Sequence, residues 1–383
     1  MFLKRAIDKP QMFYSIVAFL ALAFLKIVEV KPNRIAGGEK YTAYELIGFP
    51  VFLLLGGFVA MAVLSLSPSR RKSLMSIICG ALLFVLLMFL MGRKGEALSE
   101  GIPAIRVSLS MGFYIVLVML YLLFGHAIKG KDRTSRIIKM IAALVITAVI
   151  VMIYMGTFDA FSIMKEYQIK RNQFIGSVRT HLFLSLGSVL AGALIAIPLG
   201  YLAYRKKNLE RAVMVPLSIV ETIPSLSLFG ILLVPLAGLG RIGFFRSLGI
   251  SGIGWAPAFV ALTLYTLLPI GRNTLVGFIS VSRDVIEAAM GMGMNRSQIF
   301  RKIEFPLALP IIITGVRIAL VQTIGGAVLA GLVGGGGLGT FVFLGLGEGS
   351  PDLVLLGVIP IIFLTLTMDG ILKSVILRIG RRK

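Results

Sequence analysis

Ten long apolar segments constrain this chain more than any other feature of its sequence. A helix needs about 20 apolar residues to cross a bilayer, and the chain is 57% hydrophobic and only 15% charged. The alternating pattern of membrane β-strands is absent, so helices are expected. We predict an all-α, polytopic protein of the lipid bilayer with about ten transmembrane helices. The predicted spans are 11–28, 46–66, 74–91, 107–127, 140–158, 180–204, 212–236, 256–280, 306–330 and 353–377.

The excess of positive charge predicts how these spans are oriented. The net charge is +22, which in a membrane protein indicates Lys and Arg on cytoplasmic loops rather than a nucleic-acid partner. With both termini inside, the inner segments carry 23 Lys and Arg and the outer segments carry 12. The sequence therefore predicts a multi-pass protein of the bacterial cytoplasmic (inner) membrane with both termini cytoplasmic. For the first span, a signal peptide cleaved near Ala21-Leu22-Ala23 is the alternative.

Composition divides the chain into two halves. Residues 1–158 hold five spans and no recognisable chemistry, and residues 159–179 are polar and predict an external connector, periplasmic or extracellular. Pro and Gly then interrupt the spans of residues 180–383. Such breaks are tolerated where neighbouring helices or a water-filled path satisfy the freed backbone groups. The sequence thus indicates that 180–383 is the functional half.

Residue types for catalysis or metal binding are sparse. Cys79 is the only cysteine, and His126 and His181 fall at predicted helix ends on opposite sides of the membrane. Residues 125–132 have the GxxxxGK spacing of a phosphate loop, but Asp132 stands where Ser or Thr would hold magnesium. We expect no enzyme activity in this chain, and no metal or cofactor bound by it.

The predicted cytoplasmic loop 281–305 has the most informative local pattern. Asp284 is placed to cap a helix over 285–292, Gly293 to bend the chain, and Ser297 to begin a second short helix. Such a segment would lie across the membrane surface. Insertion into the groove of a partner and an ordinary amphipathic loop both fit this pattern.

Six residues of this region stand at characteristic spacings: Glu287, Ala288, Ala289, Gly293, Ile303 and Pro306. They resemble the EAA loop of ATP-binding-cassette importer permeases, in which EAA is followed by three residues, Gly, nine residues, Ile, one residue and Leu-Pro. The chain departs from this pattern at Phe305, where the family has Leu. The two alanines are expected to face outward beside the glutamate. The resemblance covers 180–377, which holds five spans, the usual permease core.

The resemblance implies a set of partners. In the family, the loop is a coupling helix that docks in a cleft of a separate cytoplasmic ATPase. ATP and magnesium would then bind to an ATPase dimer and not to this chain. A second permease subunit, identical or related, would complete the translocation path, and an external binding protein would select the substrate.

Three further stretches resemble the osmoprotectant branch of these permeases, which serves glycine betaine, choline and carnitine import. The additional N-terminal spans resemble a long form of that branch. The stretches are Glu221-Thr222-Ile223-Pro224-Ser225, Leu268-Pro269-Ile270-Gly271-Arg272-Asn273-Thr274 and Gly334-Gly335-Gly336-Gly337-Leu338-Gly339.

Besides Lys373 near the end of its span, four charged residues lie within the predicted spans of the functional half: Glu221, Arg272, Arg317 and Asp369. At 1.5 Å per residue, each lies roughly 12–17 Å from the cytoplasmic end of its span. Charges at this depth are costly, and they usually pair or line a polar path. We predict either a charge-balanced layer in the pathway or two static structural pairs.

Two other classes of membrane protein compete with an ATP-driven importer. An ion-gradient-driven secondary transporter would usually show an inverted repeat, and none is convincing between 1–158 and 180–377. A membrane scaffold does not account for the polar and helix-breaking residues of the functional half. Within the importer class, another small solute such as an amino acid is the alternative substrate.

Overall fold

The computed structural model describes residues 8–33, 36–67, 72–99, 104–128 and 132–380. Most of these residues are helical, which confirms the predicted helical membrane class. The chain divides into two compact units, 1–169 and 170–383.

The first unit contains seven helices among its described residues. Their apolar faces share one core, to which Leu22, Leu54, Ile77 and Phe113 belong. Large apolar side chains such as Leu82 also remain exposed, as expected of helices that are apolar all round and face lipid. The helices are α1 (Lys9–Phe24), α2 (Ala43–Ile47), α3 (Val51–Ser65), α4 (Lys72–Ser99), α5 (Met111–Ile128), α6 (Asp132–Tyr154) and α7 (Ser162–Ile169).

A small sheet, which the sequence did not predict, joins three segments of this unit. Its strands are β1 (Lys26–Lys31), β2 (Glu39–Thr42) and β3 (Arg106–Leu109), in the order β2-β1-β3 with both pairs antiparallel. The predicted first span, 11–28, is therefore too long, because α1 ends at Phe24 and β1 begins at Lys26. The strands are too short to stand out against the apolar helices beside them.

The predicted connector, 159–179, is largely helical. Helix α7 occupies its first half, and α8 (Arg171–Arg205) starts within its second half. Its polar residues make contacts with the segment around β3: Arg106 pairs with buried Glu166 at 2.7 Å, and Lys165 donates to the carbonyl of Ile105. Burial, and then the charge of Arg106, lower the pKa of Lys165. Some of the polar side chains of this segment are therefore used in contacts within the first unit.

The second unit packs its helices around α8, α12 (Trp255–Ile279) and α15 (Phe305–Gly326). Glycines allow α8 and α12 to approach closely, because a Cβ on Gly200 would lie 2.6 Å from the carbonyl oxygen of Gly271. A Cβ on Gly192 would collide with Thr266 in the same way. The remaining helices are α9 (Lys207–Thr222), α10 (Ser225–Leu239), α11 (Gly243–Ser247), α13 (Arg283–Gly291), α14 (Arg296–Ile299), α16 (Gly339–Gly347) and α17 (Pro351–Gly380).

The predicted span 212–236 is wrong as a single helix. Helix α9 ends at Thr222, α10 begins at Ser225, and their axes differ by 104°. Pro224 explains the break, because a proline disfavours helical geometry in the residue before it, and Ile223 is extended with φ −68° and ψ 127°.

The number of apolar helices agrees with the ten spans predicted from the sequence. Within the described part of the chain, five helices are long and apolar enough to cross a membrane, or six if the bent pair forms one span. Four shorter apolar helices complete the predicted set: Lys9–Phe24, Val51–Ser65, Met111–His126 and Met140–Tyr154.

Candidate coupling segment and membrane pathway

The predicted cytoplasmic loop forms two short helices joined by a tight turn. Helix α13 begins at Arg283, one residue after its cap, because the hydroxyl of Ser282 accepts the N–H of Asp284 at 3.3 Å. The prediction that Asp284 is the cap is wrong, and Asp284 lies instead in the first turn, where a carboxylate favours the helix dipole. Gly293 reverses the chain with φ +79°.

The second helix begins one residue earlier than predicted. Asn295 and Gln298 cap α14 reciprocally: the Asn295 side chain accepts the Gln298 N–H at 2.9 Å, and the Gln298 side chain accepts the Asn295 N–H at 2.8 Å. This double cap satisfies two backbone donors and fixes the start of the helix at Arg296.

The faces of α13 differ from the prediction in one residue. Glu287 and Ala288 are exposed, so they are accessible to a partner. Ala289 is fully buried, so the expectation that both alanines face outward is wrong for this one. Consecutive residues on a helix point about 100° apart, which is why adjacent alanines separate into one that contacts the protein and one that faces out.

An unbroken helical path leads from this segment into the membrane. Helix α14 continues through a π-helical turn, Phe300–Glu304, directly into α15. Ile303 and Pro306 lie in this junction and are half-buried. A π-helical turn contains one residue more than an α-helical turn, and such turns within α-helices occur frequently at functional sites. The sequence predicted a separate short helix followed by a span, whereas the structure joins the two.

Aromatic and polar contacts fix this junction to the rest of the unit. Tyr204 at the end of α8 donates to the buried carboxylate of Glu304 at 3.2 Å. The ring centroids of Tyr201 and Phe300 are 4.8 Å apart, and those of Phe300 and Phe305 are 5.9 Å apart. This cluster was not predicted from the sequence, although Tyr201 and Tyr204, three residues apart at a predicted helix end, were a signal for it.

The structure pairs two of the four predicted intramembrane charges. Arg317 on α15 donates two hydrogen bonds to Asp369 on α17, at 2.6 and 2.9 Å. Glu221 and Arg272 are exposed, and neither has an ion pair or hydrogen bond with its side chain among the residues the structure describes. The charges therefore divide into one bidentate pair and two separate groups, and the pathway role predicted for them stays a prediction.

A cavity of about 410 Å³ lies at the break between α9 and α10. The hydroxyl of Tyr265 on α12 donates to the carbonyl of Ile223 at 2.6 Å, which holds the break against α12. The cavity is lined by Glu221, Thr222, Ile223, Pro224, Ser225, Phe229, Leu262, Tyr265, Gln322, Thr323, Gly326 and Leu329. The predicted osmoprotectant-type stretch Glu221–Ser225 thus forms one wall.

Comparison with known proteins assigns the two halves of the chain separately. Residues 188–381 match the family described as binding-protein-dependent transport system inner membrane component. Residues 8–164 match the N-terminal domain of the ABC transporter permease YehY. The chain therefore belongs to the binding-protein-dependent transport permeases and is a membrane-spanning transport subunit. This finding supports the importer class over an ion-gradient-driven transporter.

Several curated relatives align with the second half. The glycine betaine/carnitine/choline transport system permease protein OpuCB of Bacillus subtilis is 38% identical over 192 residues, which are 50% of this chain and 82% of that protein. The choline transport system permease protein OpuBB of the same organism is 35% identical, with the same coverage. The osmoprotectant import permease protein OsmW of Salmonella typhimurium is 38% identical, covering 50% of this chain and 85% of that protein.

Among solved structures, an inward-facing MetNI methionine ABC transporter is similar to this chain. It is 25% identical and covers 55% of this chain and 97% of the matched chain, with a TM-score of 0.47.

Proposed function

We propose that this chain is the permease of an ATP-driven importer for quaternary ammonium osmoprotectants such as glycine betaine, choline or carnitine. The relatives named for these substrates align with the half that contains the coupling segment and the cavity. ATP hydrolysis is assigned to a separate cytoplasmic ATPase dimer, which carries the ATP and magnesium. An external binding protein delivers the substrate, and a second permease subunit completes the path.

The observation that carries this proposal is the exposed Glu287–Ala288 face of α13 on a segment that continues into α15. A helix that is anchored on one side by buried Ala289 and open on the other is suited to a partner's groove. Because α14, the π-turn and α15 are continuous, a displacement of α13 reaches the membrane helix through a single tight turn at Gly293. The hydrogen bond from the Tyr204 hydroxyl to the Glu304 carboxylate connects this junction to α8, so the same displacement reaches α8.

Contacts within each unit support the predicted alternation of the spans, whose orientation, with both termini cytoplasmic, rests on the charge bias. Asp8 contacts His126 at 2.9 Å, so the inner N-terminal segment meets the predicted cytoplasmic end of the span 107–127. The sheet strands β1 and β3 join segments assigned to the outside. In the second unit, the N–H of Gly254 donates to the carbonyl of Val333 at 2.9 Å, which again joins two outer segments.

Uptake by the reconstituted complex tests this function. The permease is combined in proteoliposomes with the ATPase and binding protein of its own transport system, and uptake of radiolabelled glycine betaine is measured. We expect uptake that requires enclosed ATP and that unlabelled choline or carnitine reduces, whereas methionine does not. Uptake driven by an ion gradient without ATP, or reduced only by amino acids, would contradict the proposal.

A further inference from the structure

The cavity at the break between α9 and α10 combines a polar rim with an apolar base. Glu221, Pro224 and Gln322 are exposed at the rim, whereas Phe229 and Leu262 at the base are 1% and 3% exposed. The volume of about 410 Å³ lies in the range of sites for small ligands. The shape therefore suits a small solute with one charged end and one apolar surface.

Glu221 is the charged group of this cavity, and it has no side-chain partner within the part of the chain described. None of the other lining residues is charged, so the lining carries one negative charge and no positive one. An unpaired carboxylate in a membrane-spanning region is costly unless it faces water or a polar path. The break in the helix provides such a place, because it leaves the end of α9 exposed.

The remaining walls suit the methyl groups of a quaternary ammonium ion. Such an ion is positively charged but cannot donate hydrogen bonds, so it prefers aromatic and apolar surfaces. Tyr265 and Phe229 supply aromatic surface, and Leu262 and Leu329 supply aliphatic surface. Gln322 and Ser225 add polar groups, and neither has a side-chain hydrogen bond to a described residue.

We propose that this cavity is a substrate-binding site within the membrane, where Glu221 faces a quaternary ammonium group and the apolar base contacts its methyl groups. This inference rests on the proposed function and adds to it a site within the permease itself. Selection would then occur twice, first on the external binding protein and again at the helix break.

Thiol labelling at the rim tests the cavity without measuring transport. Cys79, the one native cysteine, is first removed by the substitution Cys79→Ala. In this background, Gln322→Cys places a single thiol at the rim of the cavity. The assembled complex in membranes is treated with a trimethylammonium-ethyl methanethiosulfonate or with its sulfonate analogue. We expect the cationic reagent to react faster, and choline to slow its reaction.

The charge of Glu221 is tested by paired variants. Glu221→Gln should lower the ratio of cationic to anionic labelling by about fivefold, the effect of one partly exposed charge. Glu221→Asp should keep most of the ratio. Glu210→Gln is the matched control, because Glu210 lies on the same helix but does not line the cavity, and it should leave the ratio unchanged.

Three results would overturn the inference. The first is a labelling ratio that is the same in Glu221→Gln and in the wild-type background. The second is labelling that choline does not slow at concentrations that saturate uptake. The third is a Gln322→Cys thiol that reacts with neither reagent, with or without ATP. In each case ATP-dependent uptake of choline by the wild-type complex would leave the proposed function standing. Conversely, cation-selective labelling with no uptake of quaternary ammonium compounds would contradict the proposed function alone.

Discussion

At the scale of single residues, the pair Arg317–Asp369 shows how a membrane helix accommodates charge. The guanidinium donates two bonds to one carboxylate, which is the geometry in which an Arg pair is strongest. Both side chains are about one-third exposed, at 32% and 33%. The pair therefore joins α15 to α17 at a place that is neither fully buried nor fully hydrated.

A double-mutant cycle measures this pair. Arg317→Ala and Asp369→Ala should each lower the thermal stability of the purified complex, because each leaves the partner charge unpaired. The double variant should be milder than the sum of the two, with a coupling of about 1 kcal/mol. The same cycle on Glu221→Ala and Arg272→Ala should be additive, because the structure does not pair them. Additive losses at Arg317 and Asp369 would show that the two side chains are not partners.

Burial of single residues was the least predictable feature of the coupling segment. The sequence indicated Glu287, Ala288 and Ala289 as a unit, and only the packing of α13 separates buried Ala289 from exposed Ala288. The cap at Ser282 was missed for a related reason. Both Ser282 and Asp284 are good capping residues, and the exact start of the helix decided between them.

At the scale of elements, α13 can couple the ATPase to the membrane helices only if its exposed face docks on the ATPase. Ala288→Arg should block docking without harming the fold, because Ala288 is exposed. We expect ATP-dependent uptake to fall by about tenfold through the bulk of the new side chain. The measurement is uptake together with co-purification of the ATPase. Ser297→Arg, an exposed position on neighbouring α14, is the matched control and should retain both.

Unchanged uptake in Ala288→Arg would remove α13 from the coupling role. Loss in both variants would assign docking to the whole segment α13–α14 rather than to α13. In either case the continuity of α14 with α15 would remain as a structural fact.

The break between α9 and α10 was only partly predictable from the sequence. Hydropathy averaged over residues 212–236 stays high across the break, so the segment was predicted as one span. Pro224 was the local signal for the break, but Pro198, Pro269 and Pro310 lie inside continuous helices. Neighbouring packing, including the bond from Tyr265 to Ile223, distinguishes the proline that breaks a helix from those that do not.

At the scale of the whole molecule, the two units correspond to two different sequence families. The relatives align over residues that make up most of their own length, so they leave less than a fifth of it for anything like residues 1–169. The permease core is thus the shared part, and the first unit is an addition with its own core and sheet.

The predicted topology is testable by thiol accessibility in intact cells. In a Cys79→Ala background, Gly37→Cys and Gly347→Cys should react with a membrane-impermeant reagent, because both lie in segments assigned to the outside. Neither glycine has a neighbour that a Cβ would meet. Asn208→Cys, in a segment assigned to the inside, should react only after lysis. Reaction of Asn208→Cys in intact cells, without Gly347→Cys, would invert the orientation of the permease core.

The sequence by itself determined the class of this protein and the number of apolar segments, and it indicated the loop 281–305 as the candidate for coupling. Hydrophobic length and charge bias act locally along the chain, and the spacing from Glu287 to Pro306 is a property of the sequence alone. The tertiary structure alone decided which charges pair, where a span breaks and which alanine is exposed. These depend on contacts between residues distant in sequence, such as Arg317 with Asp369 and Tyr204 with Glu304, which no local pattern specifies.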